Sequence, residues 1–398
     1  MKKSLLALAA MGAFVGAAQA QSSVAVYGIF DGGYSFTNRN INGTATQTTG
    51  ATSGNQSTSR LGFRGTEDLG GGRSAQFVME LGITAVGANT LSGSSNPTNN
   101  ATLDNRQSFI GLSDKNLGSL KLGRQYSLAH EIIGATDAGG ANGVIGANTY
   151  VGANSGTSWT ATSIHTNSSY MIRLSNAIGY ESPRIAGVQV KVMTAQNKSN
   201  AGVVQTNAQG YTGFALNYAE GPVFIGATRS YNTVNAVEGA TASTMGLAFV
   251  TSASTAYNVI QTETAVGASY DFKVAKVFAN YVETKVDGSA GGGAASGLVK
   301  LTNGAKRTAQ NFGVSAPITP TIAVFGSYGG GKQNQFGALS ATSATTQDFS
   351  FMGYQAGATY TLSKRTNLYA IYGRQSGDTS ASTTFVANAL SLGARHTF

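Results

Sequence analysis

The sequence predicts an all-β protein whose antiparallel strands close into a barrel that crosses a membrane. Three observations predict this fold. Apolar and polar residues alternate with a period of two, short turns alternate with long polar loops, and no apolar run of the mature region approaches the roughly 18–20 residues of a membrane helix. Composition agrees with it, because charged residues make up only 11% of the chain, whereas soluble domains carry about 25%.

The first twenty residues are expected to be a secretory leader and no part of the fold. Lys2 and Lys3 precede an apolar run at 5–18, and the cleavage motif A-Q-A ends at position 20. The predicted organisation is therefore a cleaved signal peptide at 1–20 followed by a single barrel at 21–398.

Charge and cysteine content narrow the functional classes. The absence of cysteine in an exported chain excludes a disulfide-stapled domain and a thiolate metal site. Once Lys2 and Lys3 leave with the leader, 24 of the 26 basic residues stand against 17 acidic ones, so the net charge falls from +9 to +7. The basic residues are scattered rather than clustered, so nucleic acid is not an expected partner. No cofactor is expected.

Sixteen segments show the alternation of a β-strand. In one of them Phe77, Met79 and Leu81 share one face, and Glu80 lies on the other. The same pattern predicts strands at 24–37, 57–66, 72–84, 104–113, 118–126, 168–181, 187–194, 210–219, 222–232, 262–271, 274–284, 308–316, 320–329, 349–362, 365–375 and 386–398. Fourteen or eighteen strands stay open, because 244–253 fits either a loop or the continuation of a strand.

The connections alternate in length, which is typical of an outer-membrane barrel with periplasmic turns and external loops. In hydrocarbon every backbone group needs a partner, so the sheet must close, and sixteen strands leave an aqueous lumen. No helical period of 3.6 residues is found in the mature region. Aromatic residues at strand ends, among them Tyr27, Tyr180 and Tyr369, are candidates for girdles at the membrane boundary. The long loops are predicted at 38–56, 85–103, 127–167, 195–209, 285–307, 330–348 and 376–385.

Seven stretches, taken in order behind the leader, resemble the Gram-negative general porins over the mature length. They are VAVYGIFD at 24–31, SRLGFRGTEDLGGG at 59–72, RQSFIGL at 106–112, LGRQY at 122–126, AIGYESP at 177–183, LSKRTNLY at 362–369 and GARHTF at 393–398.

The resemblance implies a homotrimer in the cell outer membrane, in contact with its lipid and lipopolysaccharide. Each sixteen-stranded barrel would form a water-filled channel for passive diffusion of small ions and hydrophilic solutes, narrowed by a third long loop folded into the lumen. The terminal Phe398 would be read by the barrel assembly machinery, although a simple lipid-facing role also fits it. The chain departs from the family in loop 127–167, whose only carboxylates are Glu131 and Asp137.

Charged side chains that face the lumen are expected to set ion selectivity. Because Leu61 and Phe63 are expected to face lipid, Arg60 and Arg64 are predicted to face the lumen.

Two further lumen residues follow from the same alternation. Arg173 lies between Ile172 and Leu174, which are expected to face outwards, so Arg173 is predicted inside. Glu80 is predicted to face inwards from its own strand.

Two further arginines are ambiguous. The alternation through Ile110 and Leu112 places Arg106 on the lipid side, but Arg106 begins its strand, where alternation is weakest. A guanidinium on the lipid face costs about 2–4 kcal/mol at mid-bilayer, which favours an inward position for Arg106 and for Arg124. The expected constriction is an arginine cluster opposite Glu80 and Asp137, whose transverse field favours anions. The alternative is that these arginines are structural and pair with carboxylates or loop carbonyls.

Two other classes stay open beside a channel. A barrel enzyme would need His130 or His165 as the base of a Ser-His-carboxylate triad, and such enzymes generally use narrower barrels, so no enzyme is expected. The same two histidines are weak metal ligands because no carboxylate pair lies near them in the sequence. An adhesin would bind a partner through its loops, and conductance in planar bilayers separates a channel from both classes.

Overall fold

The structure is a computed structural model that describes residues 23–86, 104–146, 172–201, 204–236, 257–290, 305–336, 347–379 and 384–398. The predicted leader at 1–20 and the ambiguous stretch at 244–253 lie outside these ranges. Among the described residues, no helix is long and apolar enough to cross a membrane.

The described chain forms one antiparallel sheet that closes on itself. The strands of its first half are β1 (Ser23–Ile41), β2 (Thr44–Ser53), β3 (Arg60–Gly70), β4 (Arg73–Gly82), β5 (Asp104–Asp114), β6 (Gly118–Tyr126), β7 (Arg173–Glu181) and β8 (Val188–Ala201). Those of its second half are β9 (Val204–Glu220), β10 (Val223–Ala236), β11 (Tyr257–Asp271), β12 (Lys276–Ala290), β13 (Ala305–Pro317), β14 (Ile322–Phe336), β15 (Gln347–Thr361), β16 (Thr366–Thr379) and β17 (Thr384–Thr397).

These seventeen described strands occupy sixteen positions around the barrel. The lower part of β1 pairs with β3 from Ser23↔Thr66 to Ile29↔Arg60, and its upper part pairs with β2 from Gly32↔Ser53 to Ile41↔Thr44. Strands β2 and β3 are therefore one barrel strand interrupted at 54–59. The prediction of a closed sixteen-stranded antiparallel barrel is confirmed.

Closure is made by the two ends of the chain. Strand β1 pairs with β17 over thirteen residue pairs, from Ile29↔Thr397 to Ile41↔Phe385. Phe398 completes the seam, because its amide donates to the carbonyl of Gly28 at 3.1 Å and its carbonyl accepts from the Gly28 amide at 3.0 Å. Every backbone group along this seam thus finds a partner, as hydrocarbon requires.

The alternation of side chains divides the sheet into two faces. Large apolar residues such as Val26, Ile110 and Leu122 are more than half exposed on the outer face, which is what a lipid-facing wall requires. The inner face carries polar and small residues. Tyr27 and Tyr369 are corrections to the predicted girdle, because the hydroxyl of Tyr27 donates to Glu80 and that of Tyr369 donates to Asp31, both on the inner face.

Several strands run beyond their predicted ends on the side of the long connections. The predicted loop 38–56 is largely a hairpin of β1 and β2 around Asn42 and Gly43, whose φ values of 50° and 86° fit a tight two-residue turn. The predicted loop 195–209 is likewise mostly strand. The extensions escaped the sequence analysis because, as in the exposed and threonine-rich β2, both faces are polar there.

One helix contradicts the expectation that the mature region contains none. Helix α1 (Leu128–Ala135) follows β6 directly, and Ser127 caps it by accepting from the amide of His130 at 3.2 Å. With only eight residues, two turns, it is too short to display a helical period in a window search.

Helix α1 lies inside the barrel against the inner wall. Leu128 and Ile132 pack with Leu174, Met193 and Tyr211 of the wall. Its neighbouring apolar face packs against the fully buried Ala265 and Val282 of β11 and β12. The prediction that loop 127–167 folds into the lumen is thus confirmed for its described part, residues 127–146.

Glycines on the inner wall make room for this loop. A Cβ at Gly226 of β10 would lie 2.9 Å from Ile132, and one at Gly267 of β11 would lie 2.9 Å from the Cβ of Thr136. The loop and the wall therefore approach more closely than any larger residue permits.

Candidate functional site

The site begins with a buried carboxylate between two arginines on the inner face of β3, β4 and β5. Glu80 is 3% exposed. Its Oε1 lies 2.7 Å from Nε of Arg106 and 3.9 Å from Nη1 of Arg60, and its Oε2 accepts from the hydroxyl of Tyr27 at 3.2 Å. Because two cations share one anion, the group keeps a net positive charge.

A β-bulge explains how Arg106 reaches the inner face. Glu80 pairs with Gln107 and Leu81 pairs with Asn105, so Arg106 is the extra residue between two ladder pairs. A bulge places two successive residues opposite one residue of the partner strand, so the alternation of faces shifts by one residue across it. The simple alternation through Ile110 therefore gave the wrong face for Arg106.

Arg124 lies at an irregularity one strand further on, but here the extra residue belongs to β7 and the alternation of β6 is kept. Gly123 pairs with Ala177 and Gln125 pairs with Leu174, so Arg124 is left without a ladder partner on β7. Its guanidinium donates to the carbonyl of Asn105 at 2.6 Å and to the hydroxyl of Ser175 at 2.7 Å.

Arg173 joins the cluster, although the reason given for it from sequence is wrong. Leu174 does not face outwards: it is 5% exposed and packs against Leu128 of α1. The left-handed φ of 54° at Asn176 marks where the alternation of β7 is broken. The guanidinium of Arg173 lies over the ring of Tyr126, 5.4 Å from its centroid.

Tyr126 connects the arginines and was missed by the sequence analysis. Its hydroxyl accepts from Nη2 of Arg106 at 2.7 Å, and its ring stacks on His130 with centroids 4.6 Å apart. Burial, followed by the charges of Arg173 and Arg106, lowers the pKa of His130 to about 3. His130 is therefore a neutral ring at physiological pH, and the positive charge of the group belongs to the arginines.

Arg64 and Arg60 share the inner face of β3, because Arg64 pairs with Ala25 and Arg60 pairs with Ile29. Arg64 is exposed and lies 5.2 Å from the ring centroid of Tyr27. Other inner-face arginines that the sequence analysis did not select are Arg39, Arg307 and Arg395. Alternation would have found Arg395, whereas the other two lie just beyond the predicted strand ends.

Asp137 does not face the arginines. It is 5% exposed, and its carboxylate accepts from the amides of Gly139 and Ala141 and from the side chain of Asn311 on β13. Burial raises its pKa above the ordinary value, an effect that these three donors partly offset. Asp137 is an anchor that holds the turn after α1 to the wall.

The other loop carboxylate, Glu131, belongs to a ladder of ion pairs. Lys191 lies 2.8 Å from Glu131 and 3.4 Å from Glu181, and Lys121 lies 2.6 Å from Glu181. Two anions and two cations cancel, so the ladder ties α1 to β8 without adding net charge.

The loop then crosses to the opposite wall. The side chain of Gln355 on β15 exchanges hydrogen bonds of 2.8 and 3.1 Å with the side chain of Asn142 and donates to the carbonyls of Val144 and Ile145. The amide of Gly143 donates to the carbonyl of Asn55 at 3.0 Å.

The expected pair of opposed charges is therefore not what the described residues form. Glu80 lies among the arginines on their own wall, and the carboxylates of residues 127–146 are occupied by Lys191 and Asn311. The opposite face of the helix presents His130 and the exposed Gly134. The arrangement can attract anions from one side, and both carboxylates of the described part of the loop are already engaged on the other.

A family model described as Gram-negative porin matches residues 7–380. An outer membrane porin protein of Bordetella pertussis is 30% identical over the full length of both chains. The chain belongs to the Gram-negative porin family. Outer membrane porin protein 32 of Delftia acidovorans is also 30% identical, over 80% of this chain and 76% of its own length. The porin therefore resides in the outer membrane, and its family and fold are those of a channel rather than an enzyme.

Solved structures show the same barrel. The porin is similar to an anion-selective porin from Comamonas acidovorans with a TM-score of 0.68 and 24% identity, covering 95% of this chain and 100% of that one. It is also similar to the trimer form of OmpT of Vibrio cholerae with a TM-score of 0.61 and 15% identity, covering 95% and 99%. At these identities the likeness establishes the fold.

Proposed function

We propose that the porin forms a water-filled channel for passive diffusion of small hydrophilic solutes and ions, and that it prefers anions. The observation that carries this proposal is the one-sided charge of the lumen. Arg60, Arg106 and Arg173 gather around Tyr126 with Glu80 as their near carboxylate. Arg64 continues the basic wall, and both carboxylates of the described part of the inward loop are engaged by Lys191 and Asn311.

The physical basis is electrostatic. A unit charge about 4 Å from a passing ion contributes about 1 kcal/mol in bulk water, and more beside a low-dielectric wall. That energy changes the local concentration of the ion about fivefold at room temperature. Anions gain this energy along the arginine wall and cations lose it, so the permeability ratio moves by the product of both effects.

Export, assembly and the partners of the barrel belong to the same proposal. The leader at 1–20 directs export and is cleaved, and the mature barrel assembles as a homotrimer within outer-membrane lipid and lipopolysaccharide. The assembly machinery reads Phe398, whose ring lies on the outer face over Gly28 at the seam. One similar solved structure is described as a trimer form, which supports the homotrimer, and another is described as anion-selective, which supports the anion preference.

The test is the zero-current potential of the purified porin in a planar bilayer under a KCl gradient. Arg60→Ala removes a partly exposed guanidinium from the lumen and is expected to lower the anion-to-cation permeability ratio by up to about 25-fold, about fivefold for each ion. Arg374→Ala is the matched control. Arg374 is exposed on the outer face of β16, where it pairs with Tyr354, so its loss should leave the ratio unchanged.

Two results would contradict the proposal. A protein that folds but conducts no ions favours an adhesin. A conducting porin whose permeability ratio is the same before and after Arg60→Ala assigns the arginines a structural role alone.

A further inference from the structure

The interruption between β2 and β3 at 54–59 is built around one residue of another strand. Gly54 begins it with a φ of 77°, and Ser59 ends it with no exposed surface. The register of β1 shifts across it, since Gly32 pairs with Ser53 above and Ile29 pairs with Arg60 below, which leaves only Phe30 and Asp31 of β1 opposite the six residues 54–59. Asp31 of β1 therefore lies directly beside the interruption.

Both the main chain and the side chain of Asp31 hold this segment. Its carbonyl accepts from the amide of Gly54 at 3.0 Å, and its amide donates to the hydroxyl of Ser59 at 2.9 Å. Its carboxylate oxygen Oδ2 accepts from the amides of Gln56 at 2.9 Å and Ser57 at 2.6 Å. A segment of six residues is thus fixed at its start, middle and end by one residue.

The other carboxylate oxygen of Asp31 is held by Tyr369 of β16. The Tyr369 hydroxyl donates to Oδ1 at 2.6 Å, and the rest of its side chain is buried in the wall. Charge-assisted hydrogen bonds of this length are the stronger ones. With no exposed surface at Asp31, this carboxylate does not contact a solute in the lumen.

The segment in turn holds the guanidinium of Arg60. Nε of Arg60 donates to the carbonyl of Thr58 at 2.9 Å, and its Nη2 donates to the hydroxyl of Ser57 at 3.1 Å. Its contact with Glu80 is longer, at 3.9 Å. The position of the guanidinium is therefore set mainly by the segment that Asp31 holds.

The same segment receives the tip of the inward loop. The carbonyl of Asn55 accepts from the amide of Gly143, and the side chain of Asn55 lies 3.4 Å from the Tyr369 hydroxyl. Segment 54–59 therefore contacts both sides of the pore, Arg60 on the basic wall and Gly143 on the loop.

We propose that Asp31 is a positioning residue for anion selectivity, because its carboxylate and Tyr369 fix the segment that holds Arg60 in the pore. The inference rests on the proposed anion preference. It predicts a change in anion preference opposite in direction to the one expected from charge alone. Removal of a carboxylate from a channel wall should by charge alone raise the preference for anions, whereas loosening Arg60 should lower it.

The experiment measures the zero-current potential of Asp31→Asn and Tyr369→Phe beside Arg60→Ala. Asp31→Asn is expected to lower the anion-to-cation permeability ratio, by up to the full effect of Arg60→Ala. Tyr369→Phe keeps every charge and should lower the ratio by a smaller factor. Tyr360→Phe, on the exposed outer face of β15, is the matched control and should have no effect.

A double variant separates positioning from direct electrostatics. If Asp31 acts through Arg60, then Asp31→Asn added to Arg60→Ala should cause no further fall in the ratio, because interacting residues are not additive. If the double variant has a higher ratio than Arg60→Ala alone, Asp31 acts by its own charge and the inference is wrong.

Other outcomes are also decisive. If Arg60→Ala lowers the ratio while Asp31→Asn and Tyr369→Phe leave it unchanged or raise it, the inference fails and the proposed function stands. If Arg60→Ala itself has no effect, both fail together. If Asp31→Asn does not fold, as shown by loss of the strand signal in circular dichroism, Tyr369→Phe decides the inference on its own.

Discussion

The inner wall of the porin has two contrasting regions, one that presents charged side chains to the lumen and one that packs against the inward loop. The wall of β3 to β7 is built from strands of 9 to 11 residues and carries charged side chains. The wall of β9 to β12 has strands of 14 to 17 residues and carries alanine and glycine where the loop lies. The comparison shows that the same alternating pattern builds both walls. Irregularities in strand pairing bring charged side chains into the lumen on one wall, and small residues leave space for the loop on the other.

The largest effect is expected where the basic wall is buried. Arg106→Ala leaves Glu80 without its short ion pair, and both side chains are 4% exposed. Breaking a buried pair costs about 3–5 kcal/mol, so thermal unfolding in detergent should shift strongly.

Two companion variants sharpen this test. Arg64→Ala removes an exposed arginine over a tyrosine ring and should cost less than about 1 kcal/mol. Replacing both partners, Arg106→Met with Glu80→Gln, should restore much of the stability lost in Arg106→Ala. Equal losses for Arg106→Ala and Arg64→Ala would refute the distinction between buried and exposed arginines.

The next effect tests the glycine wall. A Cβ at Gly267 would press on Thr136 at the end of α1, and overpacking of this kind costs about 1–3 kcal/mol. Gly267→Ala should therefore lower thermal stability and increase open-channel noise. Gly50→Ala is the control, since a Cβ there meets nothing within 4 Å and both variants lose the same glycine freedom in the unfolded chain. Indistinguishable variants would mean that the loop does not need this space.

A smaller effect is expected from placing an acid on the neutral side of the pore. Gly134 is exposed on α1 with open space around it. A charge about 8 Å from a passing ion contributes about 0.5 kcal/mol in water, which changes the concentration of each ion about twofold, so Gly134→Asp should lower the anion-to-cation ratio by about four- to fivefold. Gly134→Asn has the same shape and should not change it; a ratio that falls equally in both variants would assign the effect to size.

The smallest effect concerns pH. Because burial and the neighbouring arginines lower the pKa of His130 to about 3, its ring stays neutral between about pH 5 and pH 8. Ion selectivity should show no step near pH 6.5, in the wild type or in His130→Gln. Between about pH 3 and pH 6.5 the histidine is protonated in the unfolded chain but neutral in the folded one. The free energy of unfolding therefore falls as the pH drops through this range. A selectivity step near pH 6.5 that His130→Gln removes would contradict this.

The sequence predicted much of the fold because alternation is dictated by lipid on one side and water on the other. All sixteen barrel positions follow from it. It failed beyond the apolar belt, where β2 and the upper ends of β8 and β9 are polar, and it failed for α1, whose two turns are too short to show a period. The available signal for this helix was the spacing of four residues between Leu128 and Ile132, directly after the capping residue Ser127.

The site was harder to predict, and the reason is local. Alternation alone assigns Arg106 to lipid, and only its pairing with the neighbouring strand reveals the bulge that changes this. The partners that fix the arginines, Tyr126 and Glu80, come from different strands. A carboxylate such as Asp137 looks available in sequence, although its own turn and Asn311 occupy it in the fold.

The most direct test of the account is the zero-current potential of the wild-type porin under a KCl gradient, measured first at low and then at high ionic strength. A one-sided basic wall predicts an anion-selective potential at low salt that shrinks near 1 M, where the screening length falls to about 3 Å. A cation-selective potential at low salt, or an anion-selective one that does not change with salt, would contradict it.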